Sequence, residues 1–307
     1  MGAGHHHHSH ASAEPAAQDI GAGFALAIAL NLGFVVAEVA AGLLSGSVAL
    51  LADAGHNFSD VLTLLLAWGA SHLVRRPPTA RFTWGLKSSS ILAAIANAAL
   101  LWVALGAILV ETIRRLADPA PVAGQTMMLV AGIGIVVNGA SALLFAAGRN
   151  RDLNRRAAFQ HLIADAAVSA GVVLAGLAVV LTRQSWIDPA TSLVIAAVIA
   201  WGSWGLLRDA VSMGMLAVPR NIDEKAVREF LAGQPGVAAI HDLHIWPMST
   251  TETALTAHLV IPGGHPGDAF LHEAAHELAH RFAIGHATLQ VELQADEACV
   301  LEDDRLV

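Results

Sequence analysis

Six long apolar runs, broken by short polar connectors, fill the first two thirds of the chain, at roughly residues 20–43, 47–73, 88–116, 126–148, 157–182 and 187–209. Each is long enough for a helix to cross a bilayer once, which takes about 20 residues. Backbone polar groups in hydrocarbon must be satisfied within the segment, so such runs are read as helices and the pattern predicts a bundle of six transmembrane helices over 20–210. From about Val218 the pattern shifts. NIDEKAVREFLAG reads as an amphipathic helix capped by Asn221 or Asp223 and closed near Gly233. VAAIHDLHIWPM and TETALTAHLVIP read as strands joined by a turn, HPGDAFLHEAAHELAHRF as a second amphipathic helix, and HATLQVEL as a third strand. The order αββαβ predicts a small two-layer α+β domain over 218–307. Residues 1–19, with GHHHHSH, read as a disordered histidine-rich tail, native or a tag.

Composition agrees with the pattern. Of 307 residues, 55% are hydrophobic and only 14% charged, too apolar for an ordinary soluble domain. The net charge of -8 is uneven, with basic residues in the connectors and acids in the last third, and nothing points to nucleic acid. Lys and Arg decide the orientation. The second connector carries Arg75, Arg76, Arg81 and Lys87, and the fourth Arg149, Arg151, Arg155 and Arg156; the first has none, the third Arg114 and Arg115, the fifth Arg183. Positive charge stays inside, so both termini are expected in the cytoplasm, and the protein in a bacterial inner membrane. No signal peptide is expected, because the first residues are polar and histidine-rich. One cysteine, Cys299, excludes an intramolecular disulfide and any cysteine-rich zinc module.

Two polar interruptions share one form. His56/Asp60 in the second run and His161/Asp165 in the fifth are both His-x-x-x-Asp. A spacing of four puts both side chains of a pair on one helix face. Side by side, the two helices offer two imidazoles and two carboxylates, enough for a tetrahedral shell. Ionisable groups are costly in a membrane and mark ion pathways when they occur there. The donor set suits zinc, admits cadmium or cobalt, and matches magnesium or calcium poorly. Asp53 lies on nearly the same face as His56, as a gate, a supporting group or an interfacial residue; Asn31, Glu38 and Asn97 are read as lining a polar cavity or bonding another helix.

These residues carry a resemblance. Six spans, LLADAGHNFSD in the second, HLIADA in the fifth, and HDLHIW and HATLQVE in the tail resemble the cation diffusion facilitator family, most of all its zinc-exporting branch, from roughly Gly21 to Cys299. The resemblance implies a secondary active transporter, not an enzyme. It implies export of divalent metal from the cytoplasm by proton antiport, a homodimer in the bilayer, and a metallochaperone-like cytoplasmic domain. It maps the transport site onto His56, Asp60, His161 and Asp165, and a cytoplasmic site, for a regulatory zinc, onto His241, His258, His286 and Glu292. No cofactor is required beyond the transported metal.

One competing motif remains. His272, Glu273 and His276 spell H-E-x-x-H, which on a helix can hold zinc for peptide hydrolysis. Here the helix is short and amphipathic, with Ala275, Leu278, Ala279 and Phe282 as its core face, and the motif is read as a solvated histidine face.

Overall fold

The computed structural model describes residues 22–146 and 153–293. The N-terminal tail, Arg149 and Arg151 of the fourth connector, and Cys299 lie outside them, as do the side chains of Arg155, Arg156 and His161. Six long helices appear where the apolar runs predict them: α1 (Ala22–Ser45), α2 (Val48–Val74), α3 (Ser89–Ala117), α4 (Gly124–Ala146), α5 (Leu153–Thr182) and α6 (Ile187–Gly214). Among the described residues, α3, α6, Gly124–Leu143 of α4 and Leu162–Thr182 of α5 are long and apolar enough to cross a membrane. α6 outruns its apolar run by five residues. Arg208 and Asp209 end the hydrophobic stretch, but they do not interrupt helical hydrogen bonding. Trp201 of α6 is 88% exposed and Leu181 of α5 74%, faces for which lipid is the natural solvent.

The described chain forms two compact units. The first holds α1, the start of α2 through Val61, α4, α5 and the first residues of α6. α4 and α5 approach backbone to backbone: a Cβ added at Gly176 would lie 3.0 Å from the Gly124 carbonyl and 2.8 Å from Met128 Cγ. Small residues allow such contact, and dispersion there substitutes for the hydrophobic drive that lipid removes. Further along α4, a Cβ at Gly134 would meet Phe34 of α1 and Ser169 of α5, both at 3.0 Å. α1 turns into α2 through Gly46, at φ +68, whose carbonyl accepts from Arg115 Nη1 at 2.9 Å. Ser47 caps α2, its Oγ accepting from Leu50 N at 3.0 Å. Asp188, fully buried at the start of α6, accepts from Ser47 Oγ at 2.5 Å and from Val48 N at 2.7 Å. A carboxylate therefore sits on the positive end of α2 and fixes where that helix begins.

The second unit holds the rest of α2, α3, the rest of α6 and the small domain. Trp102 and Trp204 meet edge to face at 5.7 Å. The domain follows the expected order: α7 (Glu224–Ala232), β1 (Ala239–Pro247), β2 (Thr253–Val260), α8 (Asp268–Phe282) and β3 (His286–Glu292). Asp223 caps α7, accepting from Lys225 N at 3.0 Å. The sheet order is β1-β2-β3, with β1/β2 antiparallel and β2/β3 parallel. The α8 crossover supplies the connection a parallel pair needs. Val227 and Leu231 of α7 and Leu278 of α8 pack on Ile245, Leu255 and Leu259 in one apolar core.

Candidate metal centre

α2 presents His56 and Asp60, and α5 presents Asp165, to one point within the first unit. His56 Nε2 lies 3.2 Å from Asp165 Oδ1 and 4.0 Å from Asp60 Oδ2. One ligand atom from each of the three falls within 4.8 Å of the other two, close enough to hold a single ion. Asp165 is buried and the α2 pair half-buried. His161 lies on α5 one helical turn before Asp165, and its side chain is outside the described residues. Of the four side chains that the sequence pairs on α2 and α5, the structure brings His56, Asp60 and Asp165 together.

Around this trio runs a buried polar chain. Asn57 Nδ2 donates to Glu38 Oε2 at 3.0 Å, tying α1 to α2, and Ser169 Oγ donates to Asp53 Oδ2 at 2.9 Å, tying α5 to α2. Glu38 therefore bonds another helix, as its place in an apolar run suggested. Asp53 is fully buried, held against α5 through Ser169. Holding α1, α2 and α5 together by these bonds orients the helices that carry the ligands.

The small domain gathers a second cluster. His241 on β1 pairs in register with His258 on β2, and Glu292 ends β3. His258 Nδ1 lies 2.9 Å from Glu292 Oε1, and His241 Nε2 lies 3.3 Å from Glu292 Oε2. Both histidines are buried, and His241 Nε2 lacks the alignment of a hydrogen bond at that distance. A buried imidazole lone pair facing a carboxylate and a second imidazole is the donor arrangement zinc takes. Sequence reasoning missed Asp242. The β1/β2 register shifts between His241 and His244, and Asp242 there adopts φ +51, a left-handed conformation that aspartate tolerates. Its carboxylate stands 3.4 Å from His258 Nε2 and 2.8 Å from His244 Nε2. The bulge also overrides the simple alternation of β1. His241 and His244, three apart, oppose His258 and Thr256, two apart on β2, so both histidines face the same side.

His286 does not join this cluster. It opens β3 while Glu292 closes it, roughly 20 Å along the strand. Its ring instead meets Trp84 edge-on at 4.6 Å. Nearby, Lys87 pairs with Glu252, Ser88 Oγ donates to the Met248 carbonyl at 3.3 Å, and Thr250 N donates to Ser90 Oγ at 3.1 Å. These contacts seat the connector before α3 on the β1–β2 turn.

The H-E-x-x-H residues lie open on α8. His272, Glu273, His276 and His280 are all exposed on a two-and-a-half-turn surface stripe. Glu273, His276 and Glu277 could gather around an ion at the surface.

Comparison with known proteins places both parts. Residues 24–213 match the cation efflux transmembrane domain, and residues 219–294 match the cytoplasmic domain of cation efflux proteins. The chain is 36% identical to the zinc transporter ZitB of Escherichia coli over 270 residues, covering 87% of this chain and 86% of that one. It is 32% identical to the cation efflux system protein CzcD of an Alcaligenes strain, over 97% of this chain and 94% of the relative. It is 33% identical to the cadmium, cobalt and zinc/H(+)-K(+) antiporter of Bacillus subtilis, over 86% of each.

Proposed function

The chain belongs to the cation efflux family, and from that premise we propose that it exports divalent metal, zinc foremost, from the cytoplasm in exchange for protons. It is a multi-pass membrane transporter and not an enzyme. The observation that carries the reading is the meeting of His56 with Asp165, from two membrane helices, at 3.2 Å beside Asp60.

The transported ion sits among His56, Asp60, His161 and Asp165. Zinc takes such nitrogen and oxygen donors in a tetrahedron and gains little from further oxygens, so it is favoured over magnesium and calcium; cadmium and cobalt fit the same shell. Binding requires neutral imidazole and ionised carboxylate, so protons and metal compete for one set of groups. A site that holds metal when open to the cytoplasm and protons when open outward converts a proton gradient into metal export. The helices alternate between the two openings around it.

The positive-inside distribution of Arg75, Arg76, Arg81 and Lys87 against the uncharged first connector supports an orientation with both termini in the cytoplasm, and the bacterial relatives support a bacterial inner membrane. The protein works as a homodimer. His241, His258 and Glu292, with Asp242 behind His258, hold a regulatory zinc in the cytoplasmic domain. His286, set apart from them, serves the contact with Trp84 instead.

Inverted membrane vesicles test the reading. Asp60→Ala should abolish zinc uptake while the protein still inserts in normal amounts; full uptake by that variant would remove the central assignment.

A further inference from the structure

Glu38 and Asp53 are two buried carboxyls that neither bind metal nor, as Asp188 does, cap a helix. Both are 0% exposed, one on α1 and one on α2. Each has one oxygen accounted for: Oε2 of Glu38 by Asn57 Nδ2, and Oδ2 of Asp53 by Ser169 Oγ. Oε1 of Glu38 and Oδ1 of Asp53 receive no hydrogen bond from any described donor. The two carboxyls lie within hydrogen-bonding reach of each other. Two carboxylates cannot bond each other, since both only accept; with one proton between them, one donates and the other accepts. A metal ion is the poorer occupant, because the amide of Asn57 and the hydroxyl of Ser169 already point donors at this pair.

We propose that Glu38 and Asp53 together bind one proton and form a proton-carrying site of the exchange, separate from the metal ligands. The proposal rests on the transport reading above. Asp53 lies three residues, about one helical turn, before His56. Among the described side chains, the titratable groups around the pair are few. α1 offers no other titratable side chain, α4 offers none, α2 contributes His56 and Asp60, and α5 contributes Asp165 and, outside the described side chains, His161. Towards the α1–α2 turn the next charges are Asp188 and Arg115. A divalent cation arriving at His56, Asp60 and Asp165 brings two positive charges to a low-dielectric neighbourhood and expels the shared proton, leaving both carboxylates ionised. When the metal departs, the proton returns. Charge then moves in opposite directions through two adjoining sites.

Infrared difference spectroscopy on the full-length protein in lipid nanodiscs reads the proton directly. The expected wild-type spectrum contains a protonated-carboxyl C=O band that shifts in D2O and is lost on adding zinc. Glu38→Gln and Asp53→Asn should each remove that band, and Asp60→Ala should keep it with zinc present. In proteoliposomes, Glu38→Gln should move severalfold fewer protons per zinc while still binding zinc. A wild type without the band, or a band that survives both substitutions, overturns the shared proton. Unchanged proton movement per zinc in Glu38→Gln overturns its role in exchange. A wild type that moves no zinc refutes the transport reading instead, and the infrared result still decides the pair.

Discussion

Replacing Asp188 by alanine removes the acceptor that the start of α2 depends on. The carboxylate is fully buried and takes hydrogen bonds from Ser47 Oγ at 2.5 Å and Val48 N at 2.7 Å; Ala49 N, at 3.4 Å, is too distant to count for much. Hydrogen bonds to a charged group contribute about 1.5–3 kcal/mol each. The favourable placement of a negative charge at a helix N-terminus adds about 0.3–1 kcal/mol. Ser47 keeps its own cap on Leu50, so α2 is weakened at its first turn and not dissolved. The expected loss is about 3–7 kcal/mol, large against the whole stability of a typical fold. Asp188→Asn retains one neutral acceptor oxygen, which recovers about 0.5–1.5 kcal/mol of that loss. Thermal unfolding of the purified full-length protein in detergent, followed by tryptophan fluorescence, measures both. An alanine variant as stable as wild type, or an asparagine variant no better than alanine, would refute the assignment of Asp188 as the anchor of α2.

Three further outcomes follow from the same geometry. Asp242→Ala, made in an Asp60→Ala background to silence the transport site, should weaken zinc binding by the cytoplasmic cluster roughly 10–100-fold, since it removes the partner of His258 and not a primary ligand; titration calorimetry that shows no change would exclude that role. Gly176→Ala should cost about 1–3 kcal/mol in the same unfolding assay, because its Cβ would press on Met128 and the Gly124 carbonyl, and an unaffected midpoint would mean that α4 and α5 separate easily. Glu273→Gln should leave zinc flux intact, as expected of an exposed residue on α8, whereas loss of transport would give that helix a part in the exchange.

What the sequence disclosed and what it hid divide along a physical line. Apolar runs and the His-x-x-x-Asp spacing are properties of single helices, so α1–α6 and the polar faces of α2 and α5 could be read directly. Strand alternation and capping likewise carried the αββαβ order of the small domain. His241 and His258 were grouped by resemblance, and the adjacency of β1 and β2 brings them into register. Contacts across elements were not legible. Nothing local to Asp188 says that it ends α2's search for an acceptor some 140 residues earlier in the chain. Glu38 and Asp53 showed only as polar intrusions, because their meeting depends on how α1 packs on α2. Asp242 was missed because its side chain reaches His258 through a bulge, and a bulge breaks the alternation from which strand faces are read. His286 was grouped with Glu292 by resemblance, whereas strand length alone carries them to opposite ends of β3.

Zinc flux into proteoliposomes under an imposed pH gradient, wild type beside Asp165→Ala, decides whether the α2–α5 cluster carries gradient-driven transport. Zinc should accumulate on the acidic side in the wild type, and that accumulation should stop when the gradient is collapsed and be lost in Asp165→Ala even with the gradient intact. Gradient-driven zinc accumulation that persists in Asp165→Ala would contradict that role of the cluster.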